Sequence, residues 1–203
     1  MAEKFSVEEA IMKLNDEDVE VRKIAVESLE HINNDNIVDP LIVALCDENT
    51  IVKHKAAEIL GQMGEIAVDK LIDKVNNSEG DEKRFASFAL KGTGSKKAIE
   101  YFSNSLEDED WGVRKIAIRS LGELKATEYI DKIAELITKE PDWGVMLAGV
   151  HSLGDMENDE AIVAIKKIRR NAKKFLTDEQ DVKDFKKAAN KAIKKIEKIM
   201  KNK

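Results

Sequence analysis

The sequence is poor in proline, in aromatic residues and in cysteine. Two prolines in 203 residues force few breaks between helices, and aromatic side chains make up only 5% of the chain. The apolar residues are therefore mostly Ile, Leu, Val and Ala, which suit helix packing. The single cysteine, Cys46, excludes an internal disulfide framework. Because it lies in an apolar helical run, residues 41–46, we expect a buried and unreactive thiol.

Long apolar stretches are also missing. No run approaches the roughly 20 apolar residues that cross a bilayer. Residues 1–5 do not have the pattern of a signal peptide. We therefore expect a cytoplasmic protein.

Charge is abundant but unevenly distributed. Charged residues make up 36% of the chain, above the roughly 25% of an average domain. Residues 1–165 contain 19 Lys and Arg against 35 Asp and Glu, a net charge of −16. Residues 166–203 contain 15 against 5, a net charge of +10. The sequence thus indicates an acidic body with a basic C-terminal segment. The high total content of charged residues also predicts an elongated molecule, because these residues need a large surface.

A nine-residue segment recurs five times in phase. Its closing leucines are separated by 30 to 32 residues, and each follows a small residue by four positions. The leucines are Leu29, Leu60, Leu90, Leu121 and Leu153, and the small residues are Ala25, Ala56, Ala86, Ala117 and Gly149. A fixed period of this length predicts stacked helical repeats.

Each repeat is predicted to contain two helices. Asp18, Asn49, Asp110 and Asp142 can each cap the first helix of a repeat. We expect that helix to end in a left-handed cap at a glycine in four copies, namely Gly61, Gly92, Gly122 and Gly154. The second helix has apolar residues at helical spacing, for example Val38, Leu41 and Leu45.

Half-repeats are predicted at both ends. Ser6 and Glu9 form a capping box that opens a helix to Leu14. A second box, at residues 177–180, opens a lysine-rich helix towards Met200, a polar cover of the kind that solenoid ends need. We predict one domain over residues 1–203: a half-repeat at 6–14, five repeats of about 31 residues at 15–168, and basic capping helices at 169–203. The fold class is an all-α, right-handed α-solenoid of about twelve antiparallel helices.

The repeat resembles the phycobilisome-lyase type of HEAT-like repeat, an armadillo-type fold. Residues 110–122 match its pattern Asp-x-x-Val-Arg-x-x-Ala-x-x-x-Leu-Gly best, and the likeness extends over about residues 6–168. The resemblance implies a scaffold that binds a protein partner on a concave face lined by second helices. It says little about the partner, because function depends on sites placed on a fold.

Similar repeats also occur in enzymes. Deoxyhypusine hydroxylases hold two irons through His-Glu pairs, but here Lys55 follows His54 where the carboxylate would stand. No pigment-specific motif of bilin lyases is present, and an acidic body would repel the DNA that HEAT-like glycosylases bind. We therefore expect no enzyme, no metal and no cofactor, with a bilin-lyase-like protein or a degenerate hydroxylase as remote alternatives.

Other conspicuous residues have structural interpretations. We expect His31, His54 and His151 to lie at the surface or at boundaries, and Trp111 and Trp143 to fill wedges between repeats. Residues 92–96 contain a helix end and the Ser95 cap rather than a phosphate loop. A cationic column (Arg22, Lys53, Lys83 and Arg114) is expected to pair with turn acids (Asp16, Asp47 and Asp108).

Two sets of residues are candidate binding sites. The second helices place acids off their apolar stripes, and we call these the acidic positions: Asp39, Asp69, Asp73, Glu100, Asp131 and Glu135. They predict a basic protein partner, since a negative groove attracts positive charge. The alternative is binding of nucleic acid or another polyanion through Lys166, Lys167, Arg169, Arg170, Lys173 and Lys174. Solvation of helix surfaces and capping of the solenoid end would also account for these charges, and the sequence leaves the partner and the oligomeric state open.

Overall fold

The computed structural model describes residues 4–202, and in them all regular structure is helical. Residues 4–202 contain twelve α-helices and, between them, five short 3-10 segments. The helices are α1 (Val7–Lys13), α2 (Val19–Ser28), α3 (Val38–Ala44), α4 (Thr50–Gln62), α5 (Glu65–Asn76), α6 (Gly80–Gly92), α7 (Ile99–Asn104), α8 (Trp111–Glu123), α9 (Ile130–Lys139), α10 (Trp143–Asp155), α11 (Asp159–Arg170) and α12 (Glu179–Lys201). They form two compact units, Met1–Ala98 (unit 1) and Ile99–Lys203 (unit 2).

Unit 1 contains two layers of helices. The first helices α2, α4 and α6 pack side by side, and the second helices α3 and α5 pack against each other. Each second helix also contacts the first helix that follows it. Ala25, Ala56 and Ala86 are fully buried, so the predicted column of small residues lies in the core.

Unit 2 repeats this arrangement. Its first helices α8 and α10 pack side by side, α12 packs against α10, and α9 packs against α11. Helix α12 therefore takes the place of a first helix. Its buried side, which includes Phe185, Ala189 and Ile196, is apolar.

The predicted helix caps are formed. Asn49 Oδ1, for example, accepts hydrogen bonds from the backbone amides of Ile51 (2.9 Å) and Val52 (3.3 Å). Asp18, Asp110 and Asp142 act in the same way, and the Ser6–Glu9 capping box is present. For α12 the cap is Asp178, one residue later than predicted. A carboxylate there also interacts favourably with the helix dipole.

The prediction that four glycines form left-handed caps is wrong. Gly61, Gly122 and Gly154 lie inside helices, and Gly92 is the last residue of α6. A Cβ added to Gly92 would lie 2.9 Å from the Cα of Gly61. These glycines therefore allow neighbouring first helices to approach closely. The left-handed backbone belongs to other residues, namely His31, Gly64, Gly80, Gly94, Lys125 and Glu157.

Candidate functional site

The acidic positions of unit 1 lie on the exposed sides of α3 and α5. On α3 the buried stripe contains Val38, Leu41 and the capping residue Leu45, and Asp39 lies off this stripe with 73% of its side chain exposed. On α5, Asp69 is 81% exposed and Asp73 is also exposed. Helix α5 places these carboxylates one turn apart because they are four residues apart.

Lysines accompany two of these carboxylates. Lys70 Nζ lies 2.6 Å from Asp39, and Lys97 Nζ lies 3.5 Å from Asp69 and 3.6 Å from Glu65. Exposed pairs of this kind contribute about 0–1 kcal/mol each. The lysines therefore reduce the negative charge of the face without fixing its side chains.

Unit 2 presents Glu100 on α7 and both Asp131 and Glu135 on α9, all exposed. Lys139 lies 2.5 Å from Glu135, and its hydrogen bond lowers the pKa of that carboxyl. Glu135 also borders a cleft of about 660 Å³ that contains Lys132 and Lys139. Among the described residues 4–202, the carboxylates of Asp73, Glu100 and Asp131 have no hydrogen-bonding or ion-pair partner.

Charged pairs between consecutive repeats hold the helices in place. Arg22 donates two hydrogen bonds to Asp47 (2.7 and 3.1 Å), and Arg114 donates two to Glu140 (2.9 and 2.7 Å). Arg22 and Arg114 also donate hydrogen bonds to the backbone carbonyls of the predicted acids Asp16 and Asp108. Each arginine thus joins the turn before its own helix to the turn before the next first helix.

Glu140 was missed by the sequence analysis. It occupies the position of Asp47 in the repeat, two residues before the capping residue, so alignment of the turns could have found it. Lys53 makes a longer contact, with its Nζ 4.0 Å from Asp81. Arg22, Lys53 and Arg114 of the cationic column therefore each contact an acid of the following repeat.

Cys46 is exposed, so the prediction of a buried thiol is wrong. Helix α3 ends at Ala44, and Cys46 lies in the following turn, where its Sγ donates a hydrogen bond to Glu82 Oε1 (2.8 Å). Lys74 Nζ lies 3.2 Å from the Sγ and also contacts Glu82. Partial burial and Glu82 raise the pKa of the thiol, and Lys74 opposes this shift.

The tryptophans differ from each other. Trp111 is 48% exposed with Lys115 Nζ 5.9 Å from its ring centre, so the wedge interpretation is wrong for this residue. Trp143 is half-buried. Both residues begin a helix, Trp111 in α8 and Trp143 in α10.

The histidines are exposed, as predicted. His54 lies 3.6 Å from Glu58 and against the ring of Phe88. Partial burial, and secondarily Arg119, lowers the pKa of His151. Within residues 4–202, no group of three or more His, Cys, Asp or Glu side chains is arranged to hold a metal. None of the described helices is both long and apolar enough to cross a membrane.

The basic residues at the C-terminal end are partly brought together. Lys166, Arg169 and Arg170 line a cavity of about 550 Å³ with Lys186 and Asn190 of α12. Lys173 lines a second cavity, of about 440 Å³, which also includes Lys186. Lys167 and Lys174 are exposed and line neither cavity. The sequence predicts the lysines of α12 only as a polar cover, whereas the structure places Lys186 of α12 beside the basic residues of α11.

Three overlapping segments, residues 7–86, 68–154 and 100–179, match the family model of HEAT repeats. No curated protein matches the sequence. An engineered protein of known structure, structural genomics target OR329, is 21% identical to the chain, and the match covers 95% of this chain and 96% of that protein with a TM-score of 0.54. YibA of Escherichia coli is 20% identical over 93% of this chain and 66% of its own, with a TM-score of 0.59.

The complex of CpcE and CpcF of phycocyanin lyase from Nostoc is also similar. It is 18% identical to this chain, and the match covers 94% of this chain and 96% of the matched chain. Its TM-score of 0.40 is too low to support any argument. At these identities the solved structures concern the fold alone. The family match extends over most of the sequence and agrees with the observed order of paired helices, which confirms the α-solenoid class. The chain belongs to the HEAT-repeat family.

Proposed function

We propose that this HEAT-repeat protein is a non-enzymatic interaction scaffold whose second helices bind a basic protein segment. HEAT repeats in general provide surfaces for protein partners, because stacked repeats create an extended face. The observation that carries the proposal is the exposure of carboxylates at equivalent positions of successive second helices, off the buried stripe.

The ion pairs of the acidic positions are weak enough for a partner to replace them. Asp39 and Asp69 are paired with lysines that are themselves about half exposed. An arginine or lysine of a partner can replace such contacts at little cost, because exposed pairs contribute about 0–1 kcal/mol. Asp73, Glu100 and Asp131 offer carboxylates that no described residue engages. Negative potential along the helices would also speed the approach of a cationic segment.

A titration with a Lys- and Arg-rich helical peptide tests the proposal. One variant carries D39N, D69N and D73N in unit 1, and another carries E100Q, D131N and E135Q in unit 2. The control carries E17Q, E27Q and D35N, which remove the same charge from exposed acids outside the second helices. We expect each face variant to weaken binding by about tenfold, which corresponds to three contacts of about 0.5 kcal/mol each.

Salt provides the second measurement. Binding of the peptide to the wild-type protein should weaken as ionic strength rises, and the face variants should depend less on salt. Equal affinities for the face variants and the control would contradict the assignment of the acidic positions. Tighter binding of an acidic peptide of the same length to the second helices would contradict the proposed class of partner.

A further inference from the structure

A second charged surface lies at the C-terminal end and is formed by residues other than the acidic positions. We call it the basic surface: Lys166, Arg169 and Arg170 of α11 and Lys183, Lys186, Lys187, Lys191 and Lys194 of α12. Its two parts lie more than ten residues apart in sequence and meet because α12 packs against α11. An inference about this surface does not rest on the function proposed above.

The basic surface is continuous. Lys186 and Asn190 line the cavity of about 550 Å³ that contains the three α11 cations. The same two residues line a neighbouring cavity of about 640 Å³ with the remaining lysines of α12. Two adjoining cavities therefore share one wall, and every charged residue that lines them is a cation.

Few acids lie near these cations in sequence. Residues 161–177 contain six Lys and Arg and no acid, residues 185–196 contain five Lys and no acid, and Asp181 and Asp184 flank Lys183. Among residues 4–202, none of the eight cations of the basic surface forms an ion pair with a carboxylate. Arg169 instead donates a hydrogen bond to the neutral side chain of Asn190. Lys195, just outside the surface, does have an ion-pair partner, Asp155.

The lysines of α12 form a ridge. Lys183, Lys187 and Lys191 are four residues apart, about 6 Å along the helix axis, and Lys194 extends the ridge to about 16 Å. Like charges at this spacing destabilise a helix. The apolar packing of the opposite side, where Phe185, Ala189 and Ile196 are fully buried, holds α12 in place. A polyanion bound along the ridge would remove the repulsion.

We propose that the basic surface binds duplex DNA through its phosphates, without base specificity. Six of the eight cations are lysines, which act as point charges and suit phosphates better than the bidentate recognition of base edges. A helix with one exposed, lysine-rich side, such as α12, fits the major groove of B-form DNA. The major groove of A-form RNA is too narrow for a helix. Single strands are bound on exposed aromatic rings, but here Phe185 is buried and Phe175 packs edge-on against it.

Fluorescence anisotropy of the full-length chain with a labelled mixed-sequence DNA duplex tests this proposal. One variant carries K183Q, K187Q and K191Q. The control carries K125Q, K132Q and K139Q, which remove the same charge from exposed lysines of unit 2 outside the basic surface. For the wild-type protein, log Kd should rise linearly with log salt. The ridge variant should lower this slope by about 2.7, or 0.9 for each lost lysine contact, and the control should leave it unchanged.

Other ligands of the basic surface would give different results in these measurements. Duplexes of different sequence should bind equally, and a DNA single strand or an RNA duplex of the same length should bind more weakly. Unchanged DNA binding by the ridge variant, an equal loss in the control, or no binding of duplex at low salt would overturn the proposal. Tighter binding of a polyglutamate peptide would identify an acidic protein as the occupant instead. Salt-sensitive self-association in sedimentation, lost in the ridge variant, would identify a second copy of the chain.

Discussion

The guanidinium group of Arg114 reaches from α8 to the turn before α10 and makes two parallel hydrogen bonds to Glu140. Only 3% of the Glu140 side chain is exposed, so this carboxylate has left water almost completely. The hydrogen bond to Glu140 raises the pKa of Arg114 despite the opposing effect of burial. A charge buried in this way depends on its partner, because the pair offsets a large desolvation cost only while both members are present.

Removal of the arginine alone should therefore be costly. We expect Arg114→Leu to lower the free energy of unfolding by about 3 kcal/mol, since it leaves Glu140 buried without its partner. Urea denaturation followed by circular dichroism measures the change. The double variant R114L/E140L should recover most of the loss because no unpaired charge remains. A loss in the double variant as large as in R114L would refute this account.

At the scale of secondary-structure elements, close helix packing depends on glycine. In unit 1 the ends of α4 and α6 approach at Gly61 and Gly92, where backbone atoms take the space that a Cβ would need. In unit 2, a Cβ on Gly122 would lie 2.7 Å from the Cα of Ser152. The repeat thus uses glycine to bring first helices together, and this explains its position inside helices or at their last residue.

Alanine at Gly92 should separate these helices. We expect Gly92→Ala to reduce the free energy of unfolding by about 1–3 kcal/mol, the usual cost of overpacking, although alanine favours the helix by about 1 kcal/mol. The matched control is Gly144→Ala in the first turn of α10, where the new Cβ would lie 3.1 Å from the capping carboxylate of Asp142, a side chain rather than backbone. The control should cost less than Gly92→Ala in thermal and urea denaturation. A stabilised Gly92→Ala protein would show that the helices adjust without strain.

At the scale of the whole molecule, many surface carboxyls are engaged in the folded state. The pKa values of five acids are lowered, chiefly by hydrogen bonds: Glu9, Asp16, Glu30, Glu82 and Glu135. Partial burial also lowers the pKa of His151. A lowered pKa means that the folded protein binds protons less readily than the unfolded chain, so all six groups destabilise the fold as the medium becomes acidic.

The free energy of unfolding should consequently fall on acidification. The carboxyl contribution is present above about pH 4.5, the ordinary pKa of glutamate, and is lost as pH falls through the lowered values. The histidine contribution begins to decrease near pH 6.5. Urea midpoints at pH 7.5, 5.5 and 3.5 measure both effects, and His151→Gln should flatten the change between the first two. Equal midpoints at pH 7.5 and 3.5 would contradict the prediction.

Much of the candidate site was predictable, but its surroundings were not. The acidic positions could be predicted as exposed because they lie off an apolar stripe of helical period, and the structure places them at the surface. The lysines that pair with Asp39 and Asp69 come from the following repeat, and their contacts depend on how the helices are rotated. The exposure of Cys46 depends on the residue at which α3 ends. The apolar pattern of the sequence does not specify that residue to within one or two positions.

The sequence by itself determined the repeat period, the pairing of helices and the capping residues of most first helices. These features are local: each depends on side chains within about one repeat, such as Asn49 and the amides of the following turn. The tertiary structure decided which residues meet between repeats. Gly61 meets Gly92, Arg114 meets Glu140, and the cations of α11 meet the lysines of α12. These contacts join residues about 16 to 31 positions apart, and they form only when the helices pack at a particular rotation and depth. The repeat pattern can point to a candidate such as Glu140, but only the packing decides that the contact is made.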